Sequence, residues 1–143
     1  MKDNFFNIEK VSKLNKGTLM EQLGIEYLEI REGFMSARMP VDERTYQPDG
    51  ILHGGATIAL AETLASFGSA LMVDPEKYDV RGQNVSVNHV RSARNGWVTG
   101  EATIIHKGRT THIWNVDVKD EKDRLISTCR LTIFVSPKKN KQQ

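Results

Sequence analysis

Between Gly54 and Val73 the chain carries a single charged residue, Glu62, among twelve small residues (Gly, Ala, Ser, Thr) and seven strongly hydrophobic ones. Burying an unpaired carboxylate in such a segment costs on the order of several kcal/mol, and desolvation raises its pKa. Its retention points to a use. Directly upstream, His53-Gly54-Gly55 opens the same segment with nearly bare backbone, so the first N–H groups of a helix there are free to receive an oxyanion. A buried carboxylate and an anion-receiving helix start are two halves of an acyl-transfer site. Ser66, four residues after Glu62, shares its helix face and can hold the carboxylate or a substrate. His53 and Glu62 lie roughly 13 Å apart along a helix axis and about half a turn out of phase. They cannot reach one atom from one chain. If they cooperate, the helix start of one subunit faces the mid-helix carboxylate of another.

The elements that must position these groups can be read around them. Asp3 to Leu14 reads as a short amphipathic helix, with Phe6 and Lys10 on different faces and Gly17 as a stop. Thr18-Leu19-Met20-Glu21 has capping-box spacing and predicts one helical turn. Ile25–Ile30 and Phe34–Met39 read as strands paired around Glu32-Gly33. A polar loop from Pro40 ends in Pro48-Asp49-Gly50, and the central helix follows, closed by Asp74-Pro75. The second half is all strand: Val80–Ala93, Trp97–His106, Thr110–Val118 and Leu125–Val135. Turn signals at Asn95-Gly96, Lys107-Gly108 and Asp120–Asp123 separate them and predict hairpin connections. Leu125, Ser127, Cys129, Leu131, Ile133 and Val135 alternate onto one face, as do His112, Trp114, Val116 and Val118 one strand earlier. His112 and Trp114 read as sheet residues, Trp97 as a surface or interface aromatic. Together these elements predict an α+β hotdog architecture, an antiparallel sheet wrapped round one long central helix. Its uncovered face and edge call for at least a dimer.

At 143 residues, with 38% hydrophobic and 27% charged side chains, the chain fits one folded domain over residues 1–135, followed by a polar, lysine-rich tail over 136–143 that reads as disordered. A net charge of +2 is too small to argue for a nucleic-acid partner. The lone Cys129 excludes an intramolecular disulfide, fits a reducing cytoplasm, and reads as a small buried hydrophobe. No signal-peptide pattern follows Met1. Gly54–Val73 has the length of a membrane span, but is too lean in large side chains and suits a helix buried in protein.

Val41-Asp42-Glu43-Arg44-Thr45-Tyr46-Gln47-Pro48-Asp49-Gly50-Ile51-Leu52-His53-Gly54-Gly55-Ala56, followed by Leu60-Ala61-Glu62-Thr63-Leu64-Ala65-Ser66, resembles the active-site signature of hotdog acyl-CoA thioesterases. The subgroup it most resembles hydrolyses aryl-CoA thioesters, the 4-hydroxybenzoyl-CoA and 1,4-dihydroxy-2-naphthoyl-CoA thioesterases. The similarity continues through Asn88–Arg94, His106–Arg109, Asp120–Leu125 and Cys129–Thr132, covering Leu23 to Val135. It implies Glu62 as catalytic carboxylate, nucleophile or general base on water, and Gly54 as the glycine whose N–H polarises the thioester carbonyl. Gln47, His53 and Ser66 would orient the thioester and the attacking water. Asn88, His89 and Arg91, with His106, Lys107, Gly108 and Arg109, would grip the nucleotide and pyrophosphate of CoA. The resemblance implies no metal and no organic cofactor, sites shared across a homodimer that assembles further into a homotetramer, and a cytoplasmic role in menaquinone biosynthesis or aromatic-acid metabolism. Asp49 replaces a bulky apolar residue of close relatives, and Phe67 is placed to line and narrow the acyl pocket, which bears on substrates such as a hydroxybenzoyl, naphthoyl or phenylacetyl thioester. The alternatives are proofreading of misacylated carrier protein, a dehydratase, whose His-to-Glu spacing differs, and a non-catalytic acyl-CoA-binding module. Joint retention of Gln47, His53, Glu62 and Ser66 argues against the last.

Overall fold

The computed structural model describes residues 7–139. Two short helices, α1 (Ile8–Lys13) and α2 (Leu19–Gln22), precede strands β1 (Glu26–Arg31) and β2 (Phe34–Pro40). Helix α3 (Gly54–Ala70) follows, then β3 (Tyr78–His89), β4 (Trp97–Lys107), β5 (Thr111–Asp120) and β6 (Leu125–Pro137). The six strands form one antiparallel sheet in the order β1-β2-β4-β5-β6-β3, and α3 packs against β2 through β6. This is the hotdog architecture read from the sequence.

One connection departs from that reading. β3 does not form a hairpin with β4; it crosses to the far edge and pairs with β6, from Tyr78 opposite Pro137 to His89 opposite Ser127. The edge of β4 is instead taken by β2, from Phe34 opposite Thr103 to Pro40 opposite Trp97. Asn95-Gly96 therefore ends a loop. Its glycine sits at φ +75°, and its carbonyl accepts the Val41 N–H at 2.9 Å, tying the loop to the end of β2. Turn chemistry marks where a strand stops but not which neighbour it pairs with. The last strand also shifts phase once. A bulge around Ile126 turns Leu125 outward, while Ser127, Cys129, Leu131, Ile133 and Val135 keep the buried face as expected.

The N-terminal helix expected from Asp3 is seen from Ile8, capped by the Asn7 side chain, which accepts the Lys10 N–H at 3.1 Å. Residues 3–6, Phe6 among them, lie outside the described residues, as do 140–143 of the expected tail. Glu21 caps α2 by accepting the Gly17 N–H at 2.7 Å, one residue earlier than a capping box places it. Asn15 joins this segment to β1, donating to the Ile25 carbonyl and accepting from the buried Tyr27 hydroxyl at 2.8 Å. Among the described residues, no helix is long and apolar enough to cross a membrane.

Small residues let α3 lie deep on the sheet. Leu60, Ala61, Leu64 and Ala65 are fully buried, and at Gly68 a Cβ would come 2.5 Å from the Trp114 ring. Beside it, the buried Ser69 hydroxyl meets His112 Nδ1 at 2.9 Å and accepts from Trp114 Nε1 at 2.8 Å. The residues read as plain sheet positions thus carry the polar link between sheet and helix. Cys129 is buried, and desolvation, helped by Asp117, pushes its thiol up to about 11, in keeping with a packing role.

Ser69→Ala should leave two buried ring nitrogens without a partner, a cost of about 2–4 kcal/mol. Urea denaturation should show a lower midpoint with an unchanged slope. The buried His112 has its pKa held below the ordinary 6.5 by desolvation, with Lys107 and His106 adding to the effect. The unfolded chain therefore takes up a proton that the native state refuses. This contribution to stability is complete above about pH 6.5 and is lost as pH falls towards the native pKa. The lowered carboxyls Asp42, Asp74 and Asp120 act only further into the acid range, below their ordinary 3.8. Stability should drop between pH 7 and 5.5, and His112→Asn should flatten that slope.

Candidate active site

The loop before α3 is built to hold Gln47. The buried Thr45 hydroxyl donates to the Pro40 carbonyl at 2.6 Å, and the Thr45 carbonyl accepts the His53 N–H at 2.8 Å. The turn over Pro48-Asp49-Gly50 closes through Gln47 N–H to the Ile51 carbonyl at 2.8 Å, with Gly50 at φ +71°. The Gln47 side-chain oxygen accepts the Asp49 N–H, fixing the amide near the start of α3. Asp49 is exposed at the tip of this turn.

His53 is the N-cap of α3, its Nδ1 accepting the Gly55 N–H at 2.7 Å. The Ala56 and Thr57 N–H groups bond the His53 carbonyl, while the Gly54 N–H has no acceptor among the described residues. That free donor lines a cleft of about 390 Å³ with Gln47, Thr57, His89 and Arg91. The His89 ring presses on the helix start: a Cβ on Gly54 would stand 2.7 Å from His89 Nε2, and His89 Nδ1 meets the buried Ser127 hydroxyl at 2.7 Å. Absence of a side chain at Gly54 is thus a steric requirement, and it leaves the donor open.

Glu62 departs from the expectation of a buried carboxylate. It is exposed in the single protomer, because α3 buries Leu60, Ala61, Leu64 and Ala65 against the sheet and leaves Glu62 on its flank, beside the edge strand β3. It has no ion pair or hydrogen bond among the described residues, so it is no part of a structural salt bridge. The carboxylate stands in a second, largely apolar cleft of about 400 Å³ with Met20, Ser66, Phe67 and Val80. Phe67 is held there edge-on against Tyr27, with ring centroids 5.8 Å apart. Met20 and Val80 were not singled out in the sequence, since nothing in their type separates them from core residues. His53 lines neither of these clefts; it borders a smaller one of about 270 Å³ with Tyr46, Gly55 and Ala59. One protomer brings Gln47 to Gly54, and Ser66 and Phe67 to Glu62, but keeps the two groups apart.

Arg91 and Arg94 lie in the loop after β3, not on a strand, because β3 ends at His89 and the Val90 and Arg91 N–H groups both turn to the Ile126 carbonyl. Arg91 lines the Gly54 cleft, whereas Arg94 borders a polar hollow with Asp120 and Lys122. The turn carrying Lys107, Gly108 and Arg109 is at the other end of the sheet, next to Val135, which bonds the Thr110 carbonyl. Nine residues of β6 separate the two regions, roughly 30 Å. Arg91 and Arg109 of one protomer cannot hold one diphosphate. Gly108 packs against the His106 ring, Lys107 pairs with Glu32 at 3.5 Å, and Asn88 and Arg109 are exposed.

Residues 49–127 match the family model described as thioesterase superfamily. The proofreading thioesterase EntH of Klebsiella pneumoniae is 44% identical over 117 residues, which are 82% of this chain and 85% of that protein. A thioesterase of Pseudomonas aeruginosa, crystallised as a glutamine-to-alanine mutant, has a TM-score of 0.90 at 39% identity, over 92% of this chain and 95% of that one. A thioesterase of Haemophilus influenzae has a TM-score of 0.90 at 37% identity, over 96% of both chains.

The different standing of His53 and Glu62 is measurable as stability. His53→Ala removes the cap of α3 and should cost about 1 kcal/mol. Glu62→Gln removes an exposed, unpartnered charge and should change stability by less than about 0.5 kcal/mol. A large loss from Glu62→Gln in thermal unfolding would make this carboxylate a structural group.

Proposed function

The chain belongs to the thioesterase superfamily, and from that premise we propose that it hydrolyses acyl-CoA thioesters with an apolar, aromatic acyl group, using sites shared between two copies. The enzyme is a thioester hydrolase. What carries the finer reading is the pairing of an unpartnered carboxylate, Glu62, with an apolar cleft beside it, and of a free Gly54 N–H with Gln47 in another cleft. The thioester carbonyl oxygen would rest on the Gly54 N–H of one protomer, where such a donor typically contributes about 2.7–4 kcal/mol as the oxyanion develops. Glu62 of the second protomer would take a proton from water as it adds to the carbonyl carbon, or add to that carbon itself. The C–S bond then breaks, and CoA leaves as a thiolate that is protonated by solvent. In the second route, water cleaves the resulting anhydride and frees Glu62. Gln47, His53 and Ser66 orient the thioester and the water. Phe67 and Met20 suit a flat ring in the acyl cleft.

Contacts to CoA are part of the same proposal. Asn88, His89 and Arg91 belong to one end of the sheet, and His106, Lys107, Gly108 and Arg109 to the other. A nucleotide held by both would be held by different protomers, which fits a tetramer of two dimers working in the cytoplasm. A second reading, proofreading of misacylated carrier protein, is favoured by one observation, the 44% identity to a proofreading thioesterase. In that case Arg91, Arg94 and Arg109 would meet a protein surface bearing phosphopantetheine. Menaquinone biosynthesis and aromatic-acid metabolism are the settings in which the first reading places the enzyme.

Glu62→Gln should lower kcat by orders of magnitude on the best substrate, in a thiol-release assay across benzoyl, naphthoyl, phenylacetyl and straight-chain CoA esters. Near-wild-type turnover would sink the mechanism, and a preference for straight chains would sink the aromatic reading. Refolding Gln47→Ala together with Glu62→Gln should restore part of the activity through mixed dimers with one intact site; no recovery despite proven exchange would count against shared sites. Arg91→Ala and Arg109→Ala should raise KM and spare kcat, an effect that shrinks on a pantetheine thioester lacking the nucleotide. An equal loss on that truncated substrate would move these arginines to a structural or carrier-protein role.

A further inference from the structure

β3 is an edge strand with a one-residue irregularity. Gly82 lies opposite Ile133 and Asn84 opposite Thr132, which leaves Gln83 without a counterpart. Glycine is often needed at a bulge because the backbone must take a positive φ. Gly82 is not such a case, since the positive-φ glycines are Gly17, Gly24, Gly33, Gly50 and Gly96. Nor does core packing call for it, because Gly82 is exposed.

What the missing side chain leaves is room for one group. A Cβ built on Gly82 would fall on Glu62 Oε1 and stand 3.1 Å from its Cδ and 3.4 Å from its Cγ. The carboxylate therefore rests against bare backbone of β3. Ala59, Thr63 and Ser66 of α3 and Val80 of β3 line the same cleft. A methyl group at position 82 would take the place of the carboxylate oxygen and so displace the carboxylate from its position in the cleft.

We propose that Gly82 is a positioning residue for hydrolysis: its bare backbone is the seat that sets the depth of the Glu62 carboxylate in the cleft. The proposal rests on the reading of Glu62 as the catalytic carboxylate and names what fixes that group in place. Displacement by about 1 Å can cost on the order of 10²-fold in rate, because water and carboxylate lose alignment with the carbonyl carbon. Binding of the distant parts of the substrate is untouched, so the loss falls on kcat.

A double-mutant cycle tests it, with activities compared at protein concentrations where every variant elutes from a sizing column as wild type does. Gly82→Ala should lower kcat by roughly 30- to 100-fold with KM within about threefold and the melting temperature unchanged. In the Glu62→Gln background, measured by single turnover, the same substitution should cost nothing further. Glu62→Asp draws the carboxylate back by one methylene, so Gly82→Ala with Glu62→Asp should turn over faster than Gly82→Ala alone. Equal losses from Gly82→Ala in both backgrounds, or multiplicative losses with Glu62→Asp, would overturn the positioning role and leave the catalytic reading of Glu62 standing. Wild-type turnover by Glu62→Gln alone would remove the catalytic reading, and the role of Gly82 with it.

Discussion

Trp114 lies across α3 at Gly68, where any side chain would drive into its indole ring, and that contact sets how deeply the helix sits on the sheet. The same economy recurs at Gly100, where a Cβ would come 2.8 Å from Leu64. Close seating has two effects. It brings Leu60 and Leu64 into full burial against the strands, the main source of stability at such an interface. It also brings Ser69 within reach of both His112 and Trp114, so the helix is fixed in register by polar contacts as well as by packing. A bulkier helix would stand off the sheet, and its start and outward face would no longer meet β3.

From that seating follow the two contacts that matter for chemistry. At the helix start, the His89 ring meets Gly54; further along, the Glu62 carboxylate meets Gly82. Both are close approaches of a functional side chain to backbone that carries no Cβ, and both lie along β3, the strand that crosses to the sheet edge. The crossover, which breaks the simple hairpin order, is therefore what brings one strand against both the helix start and Glu62. It also leaves β3 with an unpaired edge next to each cleft, where a second copy can add its own groups.

The sequence made the architecture legible because the helix and strand periodicities are strong and the breakers clear: Gly33, Pro48-Asp49-Gly50 and Asp120–Asp123 all mark real connections. It did not disclose the partner of β3, since a run such as Val80–Asn88 satisfies either neighbour, and the choice is made by tertiary contacts. Helix-start chemistry was readable from His53-Gly54-Gly55, because capping is local. Burial of Glu62 was misread for the opposite reason. Its apolar neighbours in sequence are buried under α3, whereas Glu62 lies on the flank of the helix, exposed beside the edge strand β3. The sequence resemblance groups His89 with distant nucleotide contacts, and only the fold sets its ring against Gly54. Met20, Val80 and Gly82 carry no chemical signature and become visible only as neighbours of Glu62.

The polar groups of this molecule fall into two sets with opposite treatment. Ser69, His112 and Trp114 are buried and hydrogen-bonded to one another, as are Asn15 and Tyr27, because a buried polar group without a partner costs free energy that a small domain can ill spare. The Gly54 N–H and the Glu62 carboxylate have no partner among the described residues, and both residues line clefts. Both residues are accessible to solvent in the single protomer, so leaving these groups unpaired costs little. In the proposed shared site, exclusion of water by an acyl group and a second copy would turn the same two groups into strong local electrostatics, since a charge or dipole acts more powerfully where the dielectric is low. Desolvation of Glu62, which the chain alone does not impose, would then arrive with assembly and substrate. An exposed carboxylate costs the isolated chain little, and the cost of desolvating it would fall on the proposed assembly with substrate.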